Sequence, residues 1–307
     1  MITRFFSTSR PIHLVLITLV VILLFVVART VGLNNEIDLG YLLFESGVFL
    51  VLFASIVVFS FFVSKNTLTL DNGYKLLFFA LFLAIVPQTL MNSNTLLANL
   101  FIILALRRLF SLKNNLRVKK KLFDAGFWVA LATYFYFGAV LFFLLIFVAL
   151  LVFSISRINN LIVPVLGFLT VLIILTSYSI ITTGNYGSFL EIAQLPSYDY
   201  SVYNDIGLVI GLTILISFGI WASFFYIKSF KEKLKTAKSV HYLVILNVMI
   251  AMILVVTTPK KDGSEFIFLF TPLAIIMSNY LEGVSERWFA EVFIWLLILT
   301  PVAKLML

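Results

Sequence analysis

Two acidic residues, Glu36 and Asp38, lie close together in a short polar segment between two apolar runs. A carboxylate within hydrogen-bond reach of an acceptor hydroxyl can act as a general base. Glu36 and Asp38 are therefore the candidate catalytic residues. The alternative is that they belong to an ordinary solvated loop, since most acidic side chains lie at protein surfaces.

Glu45 lies about one turn inside the next apolar run. An ionisable side chain is costly among the apolar residues of a membrane helix, so it either faces the interior of the bundle or snorkels to the surface. In the first case Glu45 is a candidate substrate-binding residue.

Two adjacent lysines, Lys260 and Lys261, fall in a short loop that the topology derived below places on the outer side of the membrane. Basic residues are normally concentrated in cytoplasmic loops, so this pair is an exception. Phosphate is a natural partner for such cations, which makes both lysines candidate substrate-binding residues. Local ion pairs with Asp262 and Glu265 are the alternative, worth about 0–1 kcal/mol when exposed.

The longest polar segment, residues 182–205, is rich in tyrosine and contains no lysine or arginine. With acidic residues beside them, Tyr198 and Tyr200 could line a sugar-binding cleft, because aromatic faces pack against sugars. Tyrosines also form aromatic belts at membrane interfaces, which is the alternative.

The composition excludes a soluble protein. Hydrophobic residues make up 62% of the 307 residues, charged residues 12%, and the mean hydropathy is +1.12. The net charge of +8 arises in short loops beside apolar runs, as in membrane proteins, so no nucleic-acid partner is expected. Cysteine is absent, and His13 and His241 have no further ligands nearby in sequence, so no metal site is predicted and no cofactor is identified.

The elements that must position these residues are helices of membrane-spanning length. We predict an all-α fold, a polytopic transmembrane helical bundle of about eleven crossings that forms a single integral membrane domain, residues 1–307. The predicted helices cover residues 12–28, 41–63, 76–90, a segment ending at 107, a central pair within 124–153, 161–181, 206–227, 242–257, 266–277 and 288–307.

The apolar stretch 124–153 fixes the topology. It spans 30 residues, too many for one ordinary crossing and few for two. A short helix hairpin turning near residues 136–138, with the N-terminus cytoplasmic, leaves all but four of the 22 basic residues inside: Arg29, Lys260, Lys261 and Lys304. A single crossing would place more basic residues on the outer side of the membrane, so the hairpin is favoured. The predicted protein is therefore a multi-pass membrane protein.

Residues 104–112 and 119–137 together resemble an uncharacterised family of integral membrane proteins from Bacteroidota, and residues 260–274 fit the same family. This resemblance covers most of the chain and implies a location, the bacterial inner membrane with multiple passes, rather than an activity.

The chain also resembles, more distantly, the C-type membrane glycosyltransferases, which use polyprenyl-phosphate-linked sugars. Their pattern has an acidic catalytic residue in the first outer loop, a Gly-containing short helix pair near the middle, and a basic residue before a late Pro-containing helix. Glu36 or Asp38, Gly126, and Lys260 or Lys261 before Pro272 match it in order. The first outer loop is shorter here, and no arginine occupies the late position.

The resemblance implies a glycosyltransferase-like protein that transfers a polyprenyl-linked sugar at the outer face, for envelope polysaccharide or glycoconjugate assembly, with membrane lipid as its surroundings. A non-enzymatic scaffold or accessory subunit of an envelope machine is the alternative. A transporter is a third, which needs a polar path through the membrane.

Overall fold

The computed structural model describes residues 2–30, 38–184, 195–232, 235–284 and 286–306. Over these residues the fold is all-α, as predicted. The α-helices are α1 (Ile2–Phe6), α2 (Pro11–Thr30), α3 (Leu39–Lys65), α4 (Tyr74–Ile85), α5 (Ser93–Phe110), α6 (Val118–Phe135), α7 (Phe142–Val152), α8 (Ile158–Thr183), α9 (Ile206–Lys228), α10 (Lys235–Thr257), α11 (Ile267–Gly283) and α12 (Arg287–Met306).

Seven helical segments among the described residues are long and apolar enough to cross a membrane: Pro11–Thr30, Leu39–Lys65, Ser93–Asn114, Ile158–Thr183, Ile206–Lys228, Lys238–Thr257 and Ser264–Gly283. They support a multi-pass membrane protein. With 12 and 11 residues, α4 and α7 extend about 16–18 Å, less than the roughly 30 Å of a hydrocarbon core. The number of crossings and the orientation of the termini stay predictions.

Proline ends α4 earlier than the sequence suggested. The predicted helix continued to residue 90, whereas α4 ends at Ile85 and Pro87 starts a 3-10 turn. Val86, directly before the proline, leaves the helical region with φ −121° and ψ 73°. Clash with the proline ring disfavours helical dihedrals at the preceding residue, which explains the early end.

The predicted break in the central apolar stretch is present. α6 ends at Phe135, Tyr136 is extended, and a 3-10 turn leads into α7. The start was predicted wrongly, because α6 begins at Val118 rather than at Asp124. Asp124 therefore lies inside the helix, where Arg108 Nη2 approaches its Oδ2 to 2.9 Å.

The described residues pack as two compact units. Unit 1 comprises Met1–Ser93, Asp199–Lys233 and Lys261–Leu307, and unit 2 comprises Asn94–Tyr198 and Leu234–Lys260. The prediction of a single domain over residues 1–307 stays a prediction.

Unit 1 is built on the antiparallel pair α4 and α11. Near the start of α4, Asn72 donates a hydrogen bond to Glu282 at the end of α11. Between the helices, the ring of Phe270 packs on those of Phe79 and Phe82 at 6.1 and 5.5 Å. In the segment Ser264–Gly283, 83% of the most apolar 18-residue stretch is buried inside the protein, so α11 is the central helix of this unit.

Unit 2 depends on close contact between α6 and α8. A Cβ added to Gly126 would lie 2.1 Å from the carbonyl oxygen of Pro164, and one added to Gly167 would lie 2.3 Å from that of Phe123. Small residues let the backbones of two membrane helices approach this closely. Most apolar side chains on the other faces of α8 are exposed, as lipid-facing side chains would be.

Gly126→Ala is therefore expected to destabilise the protein by about 1–3 kcal/mol, because the added methyl group forces the two helices apart. The measurement is the thermal unfolding midpoint in detergent. Gly47→Ala is the matched control, since Gly47 lies within α3 and its Cβ would meet open space. Alanine there is expected to be neutral or slightly stabilising. Equal midpoints for the two variants would contradict the tight crossing.

Candidate functional site

Six residues of unit 1 form a compact polar group, which we call the Lys261 cluster: Asp199, Tyr200, Tyr203, Lys261, Asp262 and Glu265. They come from two chain segments, one leading into α9 and the other into α11. The segment before α11 lies next to the turn that follows α4, because Gly263 packs on Gln88 and Asn92 contacts Asp262.

The first segment is shaped by two aspartates. Asp199 Oδ1 accepts a hydrogen bond from the backbone N–H of Ser201 at 3.0 Å and opens a short 3-10 turn. Asp205 then caps α9 by accepting from the N–H of Leu208 at 2.8 Å. This turn brings Tyr200 and Tyr203 together, with their ring centroids 6.1 Å apart.

Lys261 is buried, with 6% of its surface exposed, and its Nζ lies 4.8 Å from the centroid of the Tyr200 ring. Burial lowers the pKa of Lys261, while the charges of Glu265 and Asp199 oppose this shift. A cation over an aromatic face in a desolvated setting is a favourable contact. Tyr200 itself is 41% exposed, so the cluster borders the surface of unit 1.

Glu265 is fully buried at the first turn before α11. The hydroxyl of Tyr203 donates a hydrogen bond to its Oε1, and Oε2 lies 3.5 Å from the backbone nitrogen of Asp262. Gly263 makes this arrangement possible, because its φ of +85° is a conformation that other residues rarely adopt.

Asp262 holds the turn together. Its Oδ1 accepts hydrogen bonds from the N–H and the hydroxyl of Ser264, and its Oδ2 accepts one from Asn92 Nδ2 at 3.0 Å. Burial acts to raise the pKa of Asp262, but the hydrogen bonds from Ser264 and Asn92 outweigh it, so the pKa lies below its usual value. Asp262 is thus a charged structural anchor.

Arg29, at the end of α2, holds the connection between α4 and α5, which contacts the cluster. Its Nη1 lies 2.9 Å from Glu45 Oε1, its Nε donates to the carbonyl of Leu90 at 2.8 Å, and its Nη2 donates to Ser93 Oγ at 2.9 Å. Both partners of the Arg29–Glu45 ion pair are largely buried, with side-chain exposures of 11% and 14%.

The structure brings Tyr200 and Lys261 together and connects Glu45 to the segment beside them through Arg29. Asp38 is exposed and caps α3, since its Oδ1 accepts from the N–H of Leu39 at 2.7 Å. Of the other predicted site residues, Glu36 is outside the described residues, and Tyr198 and Lys260 are exposed residues of unit 2.

Sequence reasoning did not single out Glu265, Tyr203 or Arg29 as site residues. For Glu265 a signal existed, because it is the one acidic residue directly before the apolar run of α11. For Arg29 the signal was weaker: opposite charges near the facing ends of two successive apolar helices suggest an ion pair. Over the described part of the chain, no group of three or more His, Cys, Asp or Glu residues is arranged to hold a metal ion.

The sequence pattern that defines a family of unknown function, DUF6427, matches residues 1–304. The chain belongs to this family. Both units lie within the matched region, apart from the last three residues of unit 1. No curated protein and no solved structure matches the chain. The expected membership of an uncharacterised family is thus confirmed, while the Bacteroidota source and the likeness to C-type glycosyltransferases stay predictions.

Arg29→Met is expected to destabilise the protein by about 3–5 kcal/mol, because it leaves the charge of Glu45 buried without its partner. The measurement is the free energy of unfolding of the two single variants and the double variant Arg29→Met with Glu45→Met. The double variant is expected to recover part of the loss, which gives a coupling energy for the pair. Additive effects of the two substitutions would show that the ion pair does not hold this segment.

Proposed function

We propose that the protein is an integral membrane protein that acts on a polyprenyl-phosphate-linked sugar, with the Lys261 cluster as its reaction site. The observation that carries the proposal is a buried lysine and a buried glutamate in one short turn: Lys261 and Glu265 are four residues apart before α11, with Tyr200 against the first and Tyr203 bonded to the second. Ionisable groups that are buried together are functional-site candidates on physical grounds.

Lys261 is suited to the phosphate of the lipid carrier. An ammonium group binds phosphate as a compact charge, and its attraction grows where water is excluded. A phosphate would approach past Tyr200, whose exposed ring borders the surface. When the Lys261 ammonium binds the phosphate instead of Tyr200, the face of the Tyr200 ring becomes available to stack on the sugar that the phosphate carries.

Glu265 is assigned the role of general base, which requires the acceptor hydroxyl to replace the Tyr203 hydroxyl at its Oε1. In the proposed transfer, an acceptor hydroxyl gives its proton to the Glu265 carboxylate as its oxygen bonds to the anomeric carbon of the sugar. The bond between that carbon and the phosphate oxygen breaks, and the electron pair leaves with polyprenyl phosphate, whose charge Lys261 neutralises. A positioned base typically contributes 10²- to 10⁴-fold to such a step.

The remaining sequence-based assignments stay part of the proposal. Glu36 and Asp38 are the alternative base, although the carboxylate of Asp38 already caps α3. Glu45, which pairs with Arg29, stays a proposed substrate-binding residue, as do Tyr198 and Lys260, which precede Asp199 and Lys261 in the chain. Location in a bacterial inner membrane, with the reaction at the outer face and products for the cell envelope, belongs to the same proposal.

A non-enzymatic scaffold is the second candidate function, and one observation favours it. The polar groups of the Lys261 cluster already have partners within unit 1: Glu265 has Tyr203, Asp262 has Ser264 and Asn92, and Lys261 has the Tyr200 face. A fully bonded cluster can serve as a rigid structural clasp without any substrate.

Glu265→Gln is expected to lower the rate of sugar transfer by about 10²-fold or more, because the amide cannot accept the proton. The measurement is release of polyprenyl phosphate from a polyprenyl-phosphate-linked sugar by the protein in nanodiscs. Glu282→Gln is the matched control, since Glu282 also accepts hydrogen bonds from unit 1 but at the opposite end of α11.

The same assay separates the competing assignments. Equal rates for Glu265→Gln and Glu282→Gln would rule out Glu265 as the base. If the double variant Glu36→Ala with Asp38→Ala loses most of the transfer rate and Glu265→Gln does not, the base is assigned to the first loop. No turnover by the unsubstituted protein with any lipid-linked sugar would leave the scaffold as the supported function.

A further inference from the structure

We propose that unit 2 binds the phosphate headgroup of an anionic lipid in a cavity of about 710 Å³ where α6 and α8 begin. We call this the headgroup cavity, and its polar lining includes Arg117, Lys119, Lys120, Arg157, Asn159 and Asn160. It is made of unit 2 residues alone and shares none with the Lys261 cluster. This inference therefore goes beyond the proposed function and does not rest on it.

Charge is the first argument. Four basic side chains line the headgroup cavity and no acidic residue lines it. The nearest acidic residue along α6, Asp124, has Arg108 Nη2 2.9 Å from its Oδ2. A cavity with this lining attracts an anion, and arginines recognise phosphate through paired hydrogen bonds.

The backbone is the second argument. Only four non-glycine residues of the described chain have positive φ, and three of them line this cavity: Asn115, Arg117 and Ser154. Left-handed backbone is costly for such residues and is found where a particular local shape is needed. Here the three residues form the turns that lead into α6 and close α7.

Two helix N-termini form the third argument. Arg117 is the N-cap of α6 and Arg157 is the N-cap of α8, and neither side chain makes a capping hydrogen bond. The first N–H groups of a helix need acceptors, and an anion supplies them. Topology signals require basic residues near a membrane but require neither the strained turns nor the uncapped starts.

The surroundings indicate that the anion is attached to an apolar molecule. Leu116 and Ile158, each next in sequence to a lining arginine, are 68% and 75% exposed, and Leu151 is 68% exposed. Beside a basic cavity, exposed leucine and isoleucine suit the acyl chains of a lipid whose headgroup occupies the cavity. Basic pockets between membrane helices bind anionic headgroups by this combination.

The test uses the full chain in detergent micelles and measures the thermal unfolding midpoint during titration with phosphatidylglycerol, phosphatidylcholine or inorganic phosphate. We expect phosphatidylglycerol to raise the midpoint at low concentration, because a ligand that binds the folded state stabilises it. Phosphatidylcholine, which carries no net charge, is expected to act far more weakly.

Arg117→Gln with Arg157→Gln is expected to weaken phosphatidylglycerol binding about 30-fold, the effect of removing two cations near a charged lipid. Arg10→Gln with Lys65→Gln is the matched control: it removes the same charge from two residues outside this cavity and is expected to bind like the unsubstituted chain. The midpoints without lipid report whether each variant folds. If Arg117→Gln with Arg157→Gln does not fold, Lys119→Gln with Lys120→Gln replaces it.

Three results would overturn the proposal. If the control variant bound phosphatidylglycerol equally weakly, the effect would come from general surface charge rather than from this cavity. Equal stabilisation by phosphatidylcholine would remove the role of the headgroup charge. If inorganic phosphate stabilised the protein as much as phosphatidylglycerol does, the cavity would be a phosphate site but its ligand would not be a lipid.

Discussion

Unit 1 depends on how one interrupted segment is held. Pro87 ends α4, and a 3-10 turn over Pro87–Leu90 leads to α5, which begins at Ser93, so backbone carbonyls at this break lack the partners of a continuous helix. Arg29 donates to the backbone carbonyl of Leu90 and to the side-chain hydroxyl of Ser93, and Glu45 holds the guanidinium in place. On the same segment, Gln88 packs on Gly263 and Asn92 bonds Asp262. The geometry of the Lys261 cluster is therefore tied to an ion pair that contributes no atom to it.

Local composition was enough to predict most helices. Apolar length predicted α2, α3, α8 and α9 to within three residues at either end, because each is a long run with polar residues at both ends. The errors arose where a local rule competes with hydropathy. Proline shortened α4, and α6 begins six residues earlier than its apolar run, within a basic stretch. Hydropathy indicates which residues are apolar enough for a membrane interior, but it does not show where the helix begins.

The site was predictable only in part, for a different reason. Lys261 stood out because the predicted topology places this cation on the outer side, which contradicts the usual charge distribution. Its neighbours depend on contacts between segments far apart in the chain: Tyr203 meets Glu265 across 62 positions, and Asn92 meets Asp262 across 170. No local pattern encodes such pairings. The exposure of Asp38 and its role as a cap likewise follow from where α3 begins, which composition gives only approximately.

The two candidate sites differ in what binding would cost. In the Lys261 cluster each charge already has a partner within the protein, so a ligand must replace the Tyr200 face and the attraction of Asp199 before it gains Lys261. Only a ligand that offers both a phosphate and a surface for the displaced ring can compensate for that loss, which gives selectivity at the expense of affinity. The headgroup cavity has basic groups and uncapped helix starts already facing an open space, so an anion enters with little rearrangement. The first arrangement suits a substrate that must be discriminated, and the second suits a lipid that is always present.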